Sequence, residues 1–129
     1  MTPYVADTHA LFWYLTSSPR LGDAAKAAFE EAARGEAVVL IPSIVIAELY
    51  YLNEKAGSPI DFADEYRRLA SAGQFTFIPL TADDVAEFDR DRAVAEMHDR
   101  IIVGVARRHA CPCITRDAQV NGAGVATVW

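Results

Sequence analysis

Four acidic residues stand in stretches that are otherwise apolar. Asp7 closes the run PYVA, Glu48 sits inside IVIAELYYL, Asp99 lies at the start of HDRIIVGVA, and Asp117 ends CPCITRD. A carboxylate in such surroundings is costly unless it is paired, protonated or bound to a cation. At an effective dielectric near 20, two carboxylates about 4 Å apart repel by roughly 4 kcal/mol, so four ionised acids in one pocket require a cation or protons. Ligation by oxygen alone, without thiolates or a helical histidine pair, points to Mg2+ or Mn2+, one ion or two, rather than structural zinc. Such ions retain waters, so the chemistry in view is that of a hydrated divalent-metal site.

Each acid also has an ordinary explanation. Asp7 and Asp117 follow strand-like segments, where Asp commonly accepts amide hydrogen bonds at a helix start or turn. Asp99 opens a helical stretch whose face continues through Ile102, Val103 and Ala106, and an acid in a first turn favours the helix dipole. Glu48 is the hardest to explain so, because its helical neighbours Ile44, Val45, Tyr51 and Leu52 are all apolar. Independent capping roles would not require the four to meet; a shared cation would.

The elements that must position them alternate short apolar runs with amphipathic helical lengths, the signature of βα units around a mainly parallel sheet. TPYVA reads as the first strand, followed by a helix over Thr8 to Leu15. A second helix runs from Asp23 to Ala33 and ends at Gly35, a left-handed cap. EAVVLI is the second strand, Ser43 caps a third helix through Lys55 with Gly57 beyond it, and Asp61 to Ala72 forms a fourth. FTFIPL is the third strand, Thr81 caps a short acidic helix, Asp99 to Ala110 is another helix, CPCIT is the fourth strand, and VATVW closes an edge. If the order reverses beside the first strand, the first and fourth strands are neighbours, and Asp7 and Asp117 meet at the crevice beyond their carboxyl ends.

With 129 residues, 52% of them apolar, the chain suits one compact domain over residues 1–129. A formal charge of −6 excludes wholesale electrostatic attraction to nucleic acid or anionic lipid, so a polyanionic substrate would need metal ions to supply positive charge. Neither a leader segment nor a membrane-length apolar span is evident. Cys111 and Cys113 flank Pro112 too closely for an unstrained bridge, which suits reduced thiols in a cytoplasmic setting.

The segments VADTHALFWYL, SIVIAELYYL, HDRIIVGVA, ITRDAQV and TVW, in this order and spacing, resemble the PIN-domain ribonucleases, specifically the VapC-type toxins of toxin–antitoxin modules. The resemblance spans essentially the whole chain. It implies a three-layer α/β/α sandwich and an Mg2+- or Mn2+-dependent endoribonuclease, with Asp7, Glu48, Asp99 and Asp117 on the family's acidic positions. Asp7 and Asp99 are expected as the core ligands, with Glu48 and Asp117 placing water or a second ion. Thr8 and Thr115 match hydroxyl positions beside the metal pocket, and Arg100 follows the third acid as in many members. The resemblance further implies an antitoxin partner and a homodimer or higher homo-oligomer; LFWYL, Tyr50 and Tyr51 are candidate interface residues, with core packing as the alternative.

RNA would also need basic contacts, for which Arg67, Arg68, Arg100, Arg107, Arg108 and Arg116 are candidates, Arg100 and Arg116 foremost because they adjoin proposed ligands. His98 adjoins Asp99, but consecutive helical residues point about 100° apart, which weighs against a proton-carrying role. His109, Cys111 and Cys113 lack the second cluster that a zinc site needs. Two other functions compete: a phosphoacceptor receiver-like signalling domain, which also sets acids around Mg2+ but should carry a lysine after a late strand, and a noncatalytic PIN-like interaction module. Retention of all four acids argues against the latter.

Overall fold

A computed structural model describes residues 1–129. Five parallel strands, β1 (Thr2–Ala6), β2 (Ala37–Pro42), β3 (Phe75–Ile78), β4 (Cys113–Ile114) and β5 (Thr127–Val128), lie in the order β3-β2-β1-β4-β5. β1 is central, with Val5 opposite Leu40 on one side and Cys113 on the other. The order therefore reverses at β1, which meets the condition under which Asp7 and Asp117 adjoin, and the crevice falls between the ends of β1 and β4.

Helices α1 (Thr8–Leu15) and α2 (Asp23–Ala33) join β1 to β2, and α3 (Ser43–Lys55) and α4 (Phe62–Ser71) join β2 to β3. The chain then returns through α5 (Ala82–Ala86), a 3-10 turn at Phe88–Asp91 and α6 (Met97–Arg108) to reach β4, and α7 (Ala118–Gly122) leads to β5. Right-handed crossovers in opposite directions along the sheet place α1 to α4 on one face and α6 on the other, giving an α/β/α arrangement. Apolar side chains from β1, β2 and β4 and from helices of both layers merge into one buried cluster, including Val5, Leu11, Phe29, Ile41, Val103 and Ile114, with the half-buried Phe75, Phe77 and Val128 of the outer strands packed against it. No helix is long and apolar enough to cross a membrane.

Local chemistry fixes the boundaries. Asn53, buried, bonds both the carbonyl and the amide of Ile60 and so closes the α3–α4 turn. Thr81 and Asp84 form a reciprocal capping box on α5. Gly35 and Gly57 adopt φ of 78° and 86°, the left-handed region expected of them.

Three expectations need correction. Ser43 is not the cap of α3 but its first helical residue, and its hydroxyl donates across to the Ile78 carbonyl. Asp99 does not open its helix: α6 starts two residues earlier because Glu96 accepts the Asp99 amide at 2.8 Å and supplies the cap. β4 is shorter than CPCIT, since Pro112 accepts a bond from the Val5 amide but has no N–H with which to continue the ladder. The 3-10 turn and α7 were not foreseen.

Candidate active site

β1 ends at Ala6, and Asp7 caps the helix that follows, its Oδ1 accepting the Ala10 amide at 2.8 Å. Asp117 does the same beyond β4, its Oδ1 accepting the Gln119 amide at 2.8 Å. Capping and facing the crevice are thus compatible roles, because each cap occupies one carboxylate oxygen. Glu48 comes from the middle of α3 and Asp99 from the first turn of α6. All four acids line one cleft of about 590 Å³, together with Thr8, His9, Arg116 and Trp129.

The acids are coupled electrically. Burial, then the charge of Asp117, Glu96 and Glu48 and a hydrogen bond with Asp117, push the Asp99 carboxyl up to about 6. Burial also raises Asp7 and the nearby Asp117 charge adds to it, while a Thr115 hydroxyl bond, the Ala10 amide and His9 oppose the rise.

Thr8 and Thr115 are buried polar residues behind this cluster. Thr8 Oγ1 donates to Glu48 Oε1 at 2.7 Å, linking α1 to α3. Thr115 Oγ1 accepts the Asp117 amide at 3.1 Å, and its hydroxyl also favours the ionised Asp7 carboxylate. Arg100 departs from expectation: its guanidinium donates to the carbonyls of Val94 and Arg92, bracing the segment before α6, and it does not line the cleft. Other basic candidates are taken up by carboxylates, Arg67 by Asp64, Arg68 by Glu65, Arg107 by Asp91 and Arg108 by Asp84. Arg116 alone of the six lines the cleft.

His98 stands closer to the site than helical geometry suggested, because its Nδ1 lies 2.8 Å from Glu96 Oε1 and 3.6 Å from Glu48 Oε2. His9, a weaker candidate from sequence than His98, lines the cleft, while Glu96 and Trp129 are the neighbours that sequence reasoning did not single out; only the TVW ending hinted at the last. LFWYL is mainly core, with Leu11, Phe12 and Trp13 buried, whereas Tyr50 and Tyr51 are 44% and 70% exposed.

As the side chains stand, no three acids, imidazoles or thiols are drawn tightly enough together to form a closed metal cage. The donor set nevertheless fits Mg2+ or Mn2+: it is all oxygen, and Mg2+ in particular keeps several waters and binds through one or two carboxylates rather than a dedicated cage. Cys111 and Cys113 are free and buried, and burial raises both thiols, leaving them as packing groups.

The open parallel sheet ends its central strands in carboxylates around one cleft, and the lysine that a receiver should place there is missing, since neither Lys26 nor Lys55 lines it. The PIN domain family model matches residues 4–124, and the chain belongs to that family, whose members are generally nucleases. Solved structures share the fold. A chain of VapBC2 from Rickettsia felis, bound to a DNA fragment from its promoter, is 16% identical with a TM-score of 0.72, covering 98% of this chain and 97% of that one. FitAcB from Neisseria gonorrhoeae is 20% identical with a TM-score of 0.62, covering 96% and 95%. A toxin–antitoxin complex from Klebsiella pneumoniae is 24% identical with a TM-score of 0.60, covering 88% and 86%. No curated protein matches the chain.

Proposed function

We propose that this chain is a single PIN-like nuclease domain acting as an Mg2+- or Mn2+-dependent endoribonuclease, the toxin of a toxin–antitoxin pair. The observation that carries the reading is the convergence of Asp7, Glu48, Asp99 and Asp117, from four separate βα elements, on one cleft. Family membership and the likeness to toxin–antitoxin structures support it.

Asp7 and Asp99 would hold the ion, and Glu48 and Asp117 would orient water or a second ion. The ion, when bound, supplies a Lewis acid for the phosphoryl oxygens and lowers the pKa of attacking water. The chain's own contribution is positional. Thr8 fixes the Glu48 carboxylate by its 2.7 Å bond, the two caps fix the Asp7 and Asp117 backbones, and Arg116 offers a guanidinium at the cleft edge for phosphate.

A cognate antitoxin and a second copy of the chain are the protein partners of this reading, in a cytoplasmic setting. Tyr50 and Tyr51, stacked edge to face at 5.4 Å on the exposed side of α3, are the aromatic surface available to either.

The test is Mg2+-dependent cleavage of a structured RNA by wild type, Asp7→Asn and Asp99→Asn proteins purified side by side. Loss of cleavage in both variants is expected. Equal cleavage by all three would mark a contaminant and remove the site from the reaction.

A further inference from the structure

We infer that Trp129, set beside Arg116 and Arg20 on the buried ring of Trp13, is a platform that stacks one base of the RNA and grips the phosphates next to the cut. The inference rests on the nuclease reading above and adds positioning residues to it.

The charge pattern comes first. In a chain of net charge −6, Arg34, Arg67, Arg68, Arg92, Arg107 and Arg108 are each within ion-pair distance of a carboxylate, and Arg100 is held by carbonyls. Arg20, Arg90 and Arg116 have no carboxylate partner, and of these Arg20 and Arg116 converge on one indole. The Arg116 guanidinium lies 4.7 Å from the Trp13 ring centroid and 5.9 Å from that of Trp129, and Arg20 lies 5.9 Å from Trp13. A guanidinium stacked on a ring keeps its edge donors for a phosphate while its plane is held.

The aromatic geometry comes second. Trp13 is buried and serves as the floor, with Trp129 against it edge to face at 5.7 Å and His9 tilted on it at 5.3 Å. Trp129 is only half-buried and lines the same cleft as the four acids. Its position is specified from behind: a Cβ at Gly22 would come within 2.6 Å of the Trp129 backbone carbon and indole Cδ1, so only glycine leaves room for the ring there. An aromatic face beside cationic edges is the combination by which proteins hold an unpaired nucleotide strand.

The full-length Asp7→Asn protein, whose asparagine can still cap α1, would be titrated with a fluorescein-labelled unstructured oligoribonucleotide and with a set of the same oligonucleotide carrying one abasic site at each position in turn. Expected is one position where base removal weakens binding about tenfold, an effect absent once Trp129→Ala is added and restored by Trp129→Phe. Arg116→Ala and Arg20→Ala should each lower the slope of log K against log salt by about 0.7. Should Trp129→Ala fail to fold, quenching of Trp129 emission by the oligonucleotide in a Trp13→Phe background decides, and an unquenched indole overturns the platform. Tight RNA binding with identical abasic profiles in the parent and the Trp129→Ala variant would overturn the platform and leave the nuclease reading standing. No RNA binding by any of the proteins would remove both.

Discussion

Thr8 Oγ1 donates a 2.7 Å hydrogen bond to Glu48 Oε1, so the first residue of α1 holds the only cleft carboxylate that comes from the middle of a helix. Glu48 has no backbone amide to orient it, as Asp7 and Asp117 do. Thr8→Val keeps the shape and removes the bond. Partners of this kind typically change metal affinity or activity by about 10–100-fold when lost. Mn2+ titration calorimetry should show at least the lower figure, with a thermal midpoint reporting about 1 kcal/mol of lost stability, the usual worth of one hydrogen bond.

Asp99 makes the fold pH-dependent. Its carboxyl stands at about 6 in the folded chain against an ordinary 3.8, so protonation favours the fold. That contribution is complete below 3.8 and is lost as pH rises through about 6. Asp99→Asn removes the ionisation. In chelator, the variant should melt above wild type at neutral pH and together with it under acid conditions below the unfolded value. Equal midpoints at both pH values would show that neither burial nor the neighbouring acids burden Asp99.

The strands and the placement of three of the four acids were legible because short apolar runs, strand-end acids and glycine stops act locally, whereas the order of the strands entered only as a condition. Strand ends put Asp7 and Asp117 at the crevice from pattern alone, and the apolar neighbours of Glu48 identified an acid that had to face a cleft. The start of α6 was misread because Glu96 looks like one more charge in an acidic stretch, and only the fold shows it accepting the Asp99 amide. Arginine partners were equally hidden. Arg100, adjacent to Asp99 in sequence, reaches back to Val94 and Arg92, while Trp13 meets Arg116 and Trp129 across more than a hundred residues of chain, a contact that no periodicity encodes.

Divalent ions should reverse the burden on Asp99. A ligand that binds only the folded chain stabilises it by RT ln(1 + [L]/Kd), about 2.7 kcal/mol at a hundredfold excess over Kd. Mg2+ or Mn2+ should therefore raise the melting midpoint at neutral pH. The rise should shrink below about pH 6, where Asp99 is protonated and must release its proton to bind. Asp7→Asn and Asp99→Asn should each abolish most of it. An equal rise in wild type and both variants would assign the effect to ions elsewhere on the acidic surface.

Arg107 tests whether the basic residues of α6 serve RNA or the fold. Its Nη2 lies 2.5 Å from Asp91 Oδ2, and Asp91 is only 8% exposed, so the pair anchors the 3-10 turn to α6. Removing one partner of a buried pair leaves the other charge stranded and costs about 3 kcal/mol. Arg107→Met should lower stability by that order, and Arg107→Met combined with Asp91→Leu should recover most of it. RNA affinity per folded molecule should stay at the wild-type value in both proteins. A fall in RNA affinity without loss of stability would return Arg107 to the substrate-binding surface.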